Sequence, residues 1–151
     1  MTNQFPNFKF PKNIKAVALD VGEKRIGMAA SEDGMFAFSL KTVPAGNIAA
    51  EILQITERGS LGHIIIGLPR NMDGSMGFQA DKVRSFVNDH LANYLKLVEY
   101  VDETATSLEA EKIMRSEGKD PRKNPELIDA YSAKIILEDW LNQNLAQKGN
   151  I

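Results

Sequence analysis

The sequence predicts an α/β domain built on a mixed five-stranded sheet with helices on both faces. Two patterns carry that expectation. Three strand signals crowd into residues 14–44 with short connections between them, which makes an antiparallel meander. Two further apolar strands then alternate with amphipathic helices, and strands separated by a helix join a sheet in parallel through right-handed crossovers. The element order is βββαβαβαα, and 151 residues hold one ordinary domain.

Ile14 to Asp20 is apolar on both faces, as a central strand must be. Gly22 supplies a turn, Glu23, Lys24 and Arg25 form its tip or flank, and Arg25 to Ser31 is the return strand. Phe36, Phe38 and Leu40 alternate with Ala37, Ser39 and Lys41 in a half-buried third strand that Pro44 closes. Asn47 is placed to cap a helix in which Ile48, Ile52 and Ile55 recur at helical spacing. His63 to Gly67 is a short apolar strand ended by Leu68-Pro69, Asn71 to Ser75 is a loop, and Val83, Phe86, Val87 and Leu91 mark a second helix. Val98 to Val101 is the fifth strand, ending at Asp102 and Glu103. Thr106 and Glu109 have capping-box spacing, and Gly118 is a natural stop. Lys119 to Lys123 reads as a polar, basic, mobile connection. Asn124-Pro125 opens a last helix that runs from Leu127 to about Leu141. Residues 1–13 and 144–151 are expected to be tails of one domain spanning 14–143.

The chain has no cysteine, which excludes disulfides and cysteine zinc sites and suits a reducing compartment. No apolar run approaches the roughly 20 residues that cross a bilayer, and the first residues lack the apolar stretch of a secretory signal. A cytoplasmic protein without a membrane partner is expected. The net charge of −2 weighs against a dedicated nucleic-acid binder. It weighs little against an enzyme whose acidic site is neutralised by cations. Basic residues also gather locally, at Lys112, Arg115, Lys119, Arg122 and Lys123.

Acidic residues at strand and helix ends are the candidate chemistry. Asp20 ends a strand read as buried, where a bare carboxylate needs a hydrogen bond, a cation or water. It either serves a ligand or caps the Gly22 turn through backbone N–H groups. Asp102 and Glu103 end a later strand; if that strand is parallel to the first, they reach the same edge, where α/β sheets gather ligands. Taken alone they also read as a solvated acidic turn. Asp129 shares a helical stripe with Ser132, Ala133 and Ile136, small and apolar residues with which a helix approaches a sheet. An acid there wants a partner, whether a metal, a substrate or the dipole of its own helix. Three such carboxylates meeting without cysteine or histidine would make an all-oxygen site suited to Mg²⁺ or Mn²⁺ and to phosphate esters. His63 and His90 read as structural or solvated. Lys24 and Arg25, at the turn, are candidates to meet phosphate. The stretch Gly67-Leu68-Pro69 followed by Asn71 to Gly74 is either a substrate loop whose backbone N–H groups, Pro69 having none, face phosphate or an ordinary strand-to-helix connection.

Four blocks, LDVGEKRIGMA, IIGLPRNMDGS, VDETATSLEAE and IDAYSAKIILEDWL, occur in order over roughly Ile14 to Leu141. Together they resemble the YqgF (RuvX) family of Holliday-junction-resolvase-like and pre-16S rRNA nucleases. The resemblance implies an RNase H-like fold, a bacterial cytoplasmic setting, and trimming of the 5′ end of the small-subunit rRNA precursor. It assigns Asp20, Glu103 and Asp129 as catalytic metal ligands for Mg²⁺ or Mn²⁺, with Glu103 or Asp129 also relaying protons and Asp102 able to share the site. It makes Lys24, Arg25 and Asn71 substrate contacts. Implied partners are the rRNA precursor, branched DNA and ribosomal particles, with the chain a monomer or weak homodimer. Two departures stand out. Thr104 follows the DE pair where the family usually has Arg, and the pair follows the fifth strand, whereas resolvases proper carry their second acid after the fourth. Junction resolution is therefore a weaker implication than metal-dependent nuclease chemistry, and a non-catalytic RNA-binding or ribosome-assembly module on the same fold is the alternative of another class. Actin-like kinases open with a similar strand, Asp and Gly turn, but need two domains where this chain has room for one.

Overall fold

A computed structural model describes residues 13–69, 77–103 and 106–149, with side chains described up to residue 145 of the last segment. The strands are β1 (Ala16–Val21), β2 (Arg25–Ser31), β3 (Phe38–Pro44), β4 (His63–Pro69) and β5 (Val98–Glu103). The helices are α1 (Ile48–Glu57), α2 (Phe78–His90), α3 (Thr106–Ser116) and α4 (Pro125–Gly149). The five strands form one sheet in the order β3-β2-β1-β4-β5. The meander is antiparallel and β4 and β5 are added in parallel, as the sequence predicts.

Strand alternation divides the side chains between two layers. Val17 and Leu19 of β1, Ile26, Met28 and Ala30 of β2, and Ile64, Ile66 and Leu68 of β4 pack against Ile48, Ile52 and Ile55 of α1 and Val83 and Val87 of α2. The opposite face presents Ala16, Ala18, Ala29 and Ile65 to Ala133, Ile136, Leu137, Trp140 and Leu141 of α4. α3 lies against α4.

The second face is built from small residues, and the result is close contact. A Cβ added at Gly27 would sit 1.9 Å from the Asp129 carbonyl oxygen, so the α4 backbone rests directly on β2. At Gly67 an added Cβ would crowd only side-chain atoms, the end of Ile136 at 2.6 Å before all others. Two hydroxyls from the edge strand fix the start of α4: Thr42 Oγ1 donates to the Glu126 carbonyl at 2.5 Å and Ser39 Oγ to the Ala130 carbonyl at 3.4 Å.

Several local expectations change. Asn47 makes no side-chain cap; α1 is entered through a 3-10 turn, Ala45–Asn47, in which the Ala45 carbonyl accepts from the Ile48 N–H. Gly118 does stop α3: it has φ +78°, Lys119 N–H donates to the Met114 carbonyl at 2.8 Å and Gly118 N–H to Arg115 at 3.0 Å. The connection expected to be mobile is a hydrogen-bonded turn, because Asp120 Oδ1 accepts from the Arg122 N–H at 2.9 Å and the Asp120 carbonyl from Lys123 at 3.1 Å. α4 continues to Gly149, well past Leu141, since no glycine or proline interrupts it before that point. Among the described residues no helix is long and apolar enough to cross a membrane.

The two glycines should respond differently to a methyl group. Gly27→Ala must push the α4 backbone off β2 and is expected to cost about 3 kcal/mol or more, whereas Gly67→Ala displaces one flexible side-chain end for about 1 kcal/mol. Urea denaturation of both variants measures the gap, and equal losses would refute the direct backbone contact.

Candidate active site

Adjacent strands end together at the carboxyl edge of the sheet, and the acids stand there. β1 and β4 run parallel with Leu19 opposite Ile66, and β5 runs beside β4 with Pro69 opposite Glu103. Alternation along β1 places Asp20 on the α4 face with Ala16 and Ala18. Glu103 reaches the same side: a Cβ at Gly67 would lie 3.7 Å from Glu103 Cγ and 3.1 Å from Ile136 Cγ1. Asp20 and Glu103 thus line one cleft of about 220 Å³ with Gly67, Pro69, Thr106 and Ile136. Of the DE pair it is Glu103 that lines this cleft, and Asp102 occupies the alternate, exposed position.

Burial opposes ionisation here. Desolvation, reinforced by the negative charge of Asp129, raises the Asp20 carboxyl to about 7. Desolvation, a hydrogen bond with Asp139 and the charges of Asp139, Glu109 and Asp102 raise Glu103 to about 8. Asp129 is also raised, by burial and by Glu126, against the opposing charge of Arg25.

Asp129 lies across the β1–β2 turn. Gly22 N–H donates to the Arg25 carbonyl at 2.9 Å, and a Cβ at Gly22 would approach that oxygen to 2.8 Å, so the tight turn needs glycine. The turn sets Arg25 Nε 3.2 Å from Asp129 Oδ2. The charges attract at that distance but are misaligned for a hydrogen bond, and Asp129 Oδ2 is buried without one. The hydroxyl of Ser132, one turn along the same stripe, is likewise buried and unpartnered. Asp129, Arg25, Lys24, Glu23 and Gly22 line a second cleft of about 460 Å³.

The expected meeting of three carboxylates is therefore only pairwise. Asp20 shares a cleft with Glu103 and an electrostatic interaction with Asp129, but among the described residues no three His, Asp or Glu side chains are grouped to hold an ion. The physical reason lies in two other partners: Arg25 holds Asp129, and Asp139 bonds Glu103. Asp139 was missed by the sequence reading. Its signal is that it continues the stripe of Asp129, Ser132 and Ile136 by one further turn. Asn71 and Thr104 lie outside the described residues. His63 is at the far end of β4, with Nδ1 2.7 Å from Glu99 and its ring 4.8 Å from Trp140, and His90 stacks on Phe86 at 4.1 Å. Neither lines the acid clefts.

The sign of the pH dependence follows from the raised values. Asp20 at about 7 and Glu103 at about 8 keep their protons in the folded chain at pH values where the unfolded chain has lost them. Metal-free stability from these groups is therefore whole below their ordinary range near 4 and drains away as pH rises through 7 to 8. For Asp20 the loss is on the order of 2–4 kcal/mol. Asp20→Asn should melt above the parent at pH 8, by a margin that shrinks toward pH 5; a variant that melts lower at pH 8 would refute the burial penalty.

A sequence model described as "RuvX: Holliday junction resolvase" matches residues 14–143. A protein of Crocosphaera subtropica named "Putative pre-16S rRNA nuclease" is 40% identical over 140 residues, covering 89% of this chain and 97% of its own. A relative of the same name from Nostoc sp. is 40% identical over 136 residues, covering 87% and 89%. Among solved structures, T. thermophilus RuvC in complex with a Holliday junction substrate superposes with a TM-score of 0.51 at 14% identity, covering 87% of this chain and 95% of that one. The free Thermus thermophilus RuvC gives 0.50 at 15%, covering 87% and 96%. That likeness carries the RNase H-like fold. With the family match spanning the sheet and all three acids, the chain belongs to the RuvX (YqgF) family.

Proposed function

We propose that this chain is a metal-dependent nuclease that hydrolyses phosphodiester bonds of structured nucleic acid, with the 5′ end of pre-16S rRNA as its substrate in the cytoplasm. The observation that carries this reading is the pairing of Asp20 and Glu103 in one cleft at the carboxyl edge of the sheet, with Asp129 close enough to raise Asp20, in a chain of the RuvX family. The substrate follows the names of the relatives.

The residues fit a hard divalent cation. Every candidate ligand is a carboxylate oxygen, one of them is buried without a hydrogen bond, and burial has made two of the carboxyls reluctant to ionise, a penalty a dication relieves. Asp20 with Glu103 would hold it and Asp129 would complete the set. When bound, Mg²⁺ or Mn²⁺ polarises the phosphoryl oxygen and lowers the pKa of an attacking water. The chain's own residues do the rest. Arg25 and Lys24, on the second cleft, neutralise the phosphate backbone on one flank. Glu103, hydrogen-bonded to Asp139, is placed to take a proton on the other. Asp129 would turn from Arg25 to the cation, leaving the guanidinium for phosphate.

The family description favours a second substrate, the four-way DNA junction. Position weighs against it: β4 ends in Gly67-Leu68-Pro69, and the acid pair stands on β5.

Cleavage of a pre-16S 5′-leader RNA and of a four-way DNA junction in Mg²⁺ or Mn²⁺ tests the reading. The leader should be cut, and Asp20→Asn should lose at least about a hundredfold in rate, since even residues that only support a metal ligand cost 10–100-fold. Equal cutting by the variant would sink the assignment, and cutting of the junction alone would transfer it to DNA. Arg25→Gln separates the two partners of Asp129. Mn²⁺ titrated calorimetrically should bind it more tightly than the parent, while RNA binds it more weakly; weaker Mn²⁺ binding would show that Arg25 does not compete with the cation.

A further inference from the structure

A groove of about 430 Å³ lies on the opposite side of the end of β1 from the acids, lined by Val21, Gln79, Lys82, Val83 and Phe86 together with Gly22 and Glu23 of the turn. Its floor is apolar: Val83 is buried, and Phe86 packs on the core and stacks on His90. Its rim is polar, with the Gln79 amide and with Lys82 Nζ 3.3 Å from Glu23 Oε1. Beside it Phe78, the first residue of α2, is 72% exposed with Lys82 Nζ 4.7 Å from its ring centre.

We propose that this groove receives an unpaired nucleobase of the strand whose phosphate lies at Asp20. The inference rests on the nuclease reading and adds to it a strand requirement and a subsite. Continuity argues for this occupant. Val21 lines both the groove and the Asp20–Glu103 cleft, and Gly22 and Glu23 line both the groove and the Arg25–Asp129 cleft. Asp20 and Val21 are consecutive, about 3.8 Å apart at Cα, with side chains on opposite faces of the sheet. The end of β1 is thus a thin ridge between acids and groove, and one nucleotide can straddle it with phosphate on one side and base on the other.

The lining matches a base. An apolar floor with a few convergent polar groups is the usual make-up of a small-ligand pocket, and its size falls in that range. The Gln79 amide offers both a donor and an acceptor to a base edge. Phe78 offers a π-face without sequence preference, and Lys82, over that ring, sets a positive charge beside it. A base held in a duplex must first be unpaired and unstacked to enter, so the groove favours single-stranded or frayed segments.

Anisotropy titrations in EDTA, with the full chain and no cleavage, test this with a single-stranded RNA and the same sequence as a duplex. Phe78→Ala should weaken single-strand binding by about 5- to 150-fold, the range of one stacked base, and leave duplex binding within about twofold. Phe78→Tyr should restore the single-strand affinity. A 2-aminopurine walked along the RNA should be quenched at one position by the parent and at none by Phe78→Ala. Equal losses on both RNAs, no loss on either, or unchanged quenching would overturn the proposal; a groove that serves a protein partner instead gives the second result. The Mg²⁺ cleavage assay with Asp20→Asn separates the two readings. If the parent cuts, Asp20→Asn does not, and Phe78→Ala binds like the parent, only the groove assignment falls. A parent that neither binds nor cuts RNA ends both.

Discussion

The contact between the α4 backbone and the bare Cα of Gly27 sets the geometry of everything on that side of the sheet. A helix usually stands off a sheet by the thickness of its side chains. Here Ala16, Ala18, Ala29 and Gly27 remove that thickness, and Thr42 and Ser39 fasten the helix start from the edge strand. The contact falls at Asp129 and Ala130, so the packing that stabilises the domain also brings a carboxylate against the strands that carry Asp20 and Arg25.

That closeness has an electrostatic cost. Asp20, Glu103, Asp129 and Asp139 crowd the carboxyl edge, and burial makes the negative charges of Asp20, Glu103 and Asp129 harder to hold. The fold answers with makeshift partners: a guanidinium for Asp129 and a hydrogen bond from one acid to another for Glu103. Local stability is conceded at this edge, the relation expected between the proposed active site and its scaffold.

Much of this was legible in the sequence, and the remainder has identifiable causes. The meander, the crossovers and the isoleucine face of α1 follow from periodicity, which depends only on near neighbours. The fifth strand is legible in place, but its exposed, polar residues do not show which face turns to the helix, so the preference for Glu103 over Asp102 came from the family resemblance and not from pattern. The Arg25–Asp129 pair joins residues far apart in sequence and is set by a turn and a helix position together. Asp139 lies on a stripe that is legible as far as Trp140, but nothing local shows that Glu103, from a distant strand, comes to meet it. The Asn47 cap failed because the 3-10 turn leaves Asn47 with helical backbone (φ −95°, ψ 0°) and not the extended form of a capping residue, and Asp120 tied down a connection that composition alone marks as loose.

The order of elements along the chain has a consequence for biosynthesis. β1 through β5 emerge from the ribosome before α4, so a nascent chain carries two of the acids while its alanine face is still uncovered. Under the proposed assignment, hydrolysis at these residues waits for the helix bearing Asp129 to be translated and docked. Unfinished or prematurely terminated chains would then be inert toward the RNA of the very particles that are making them.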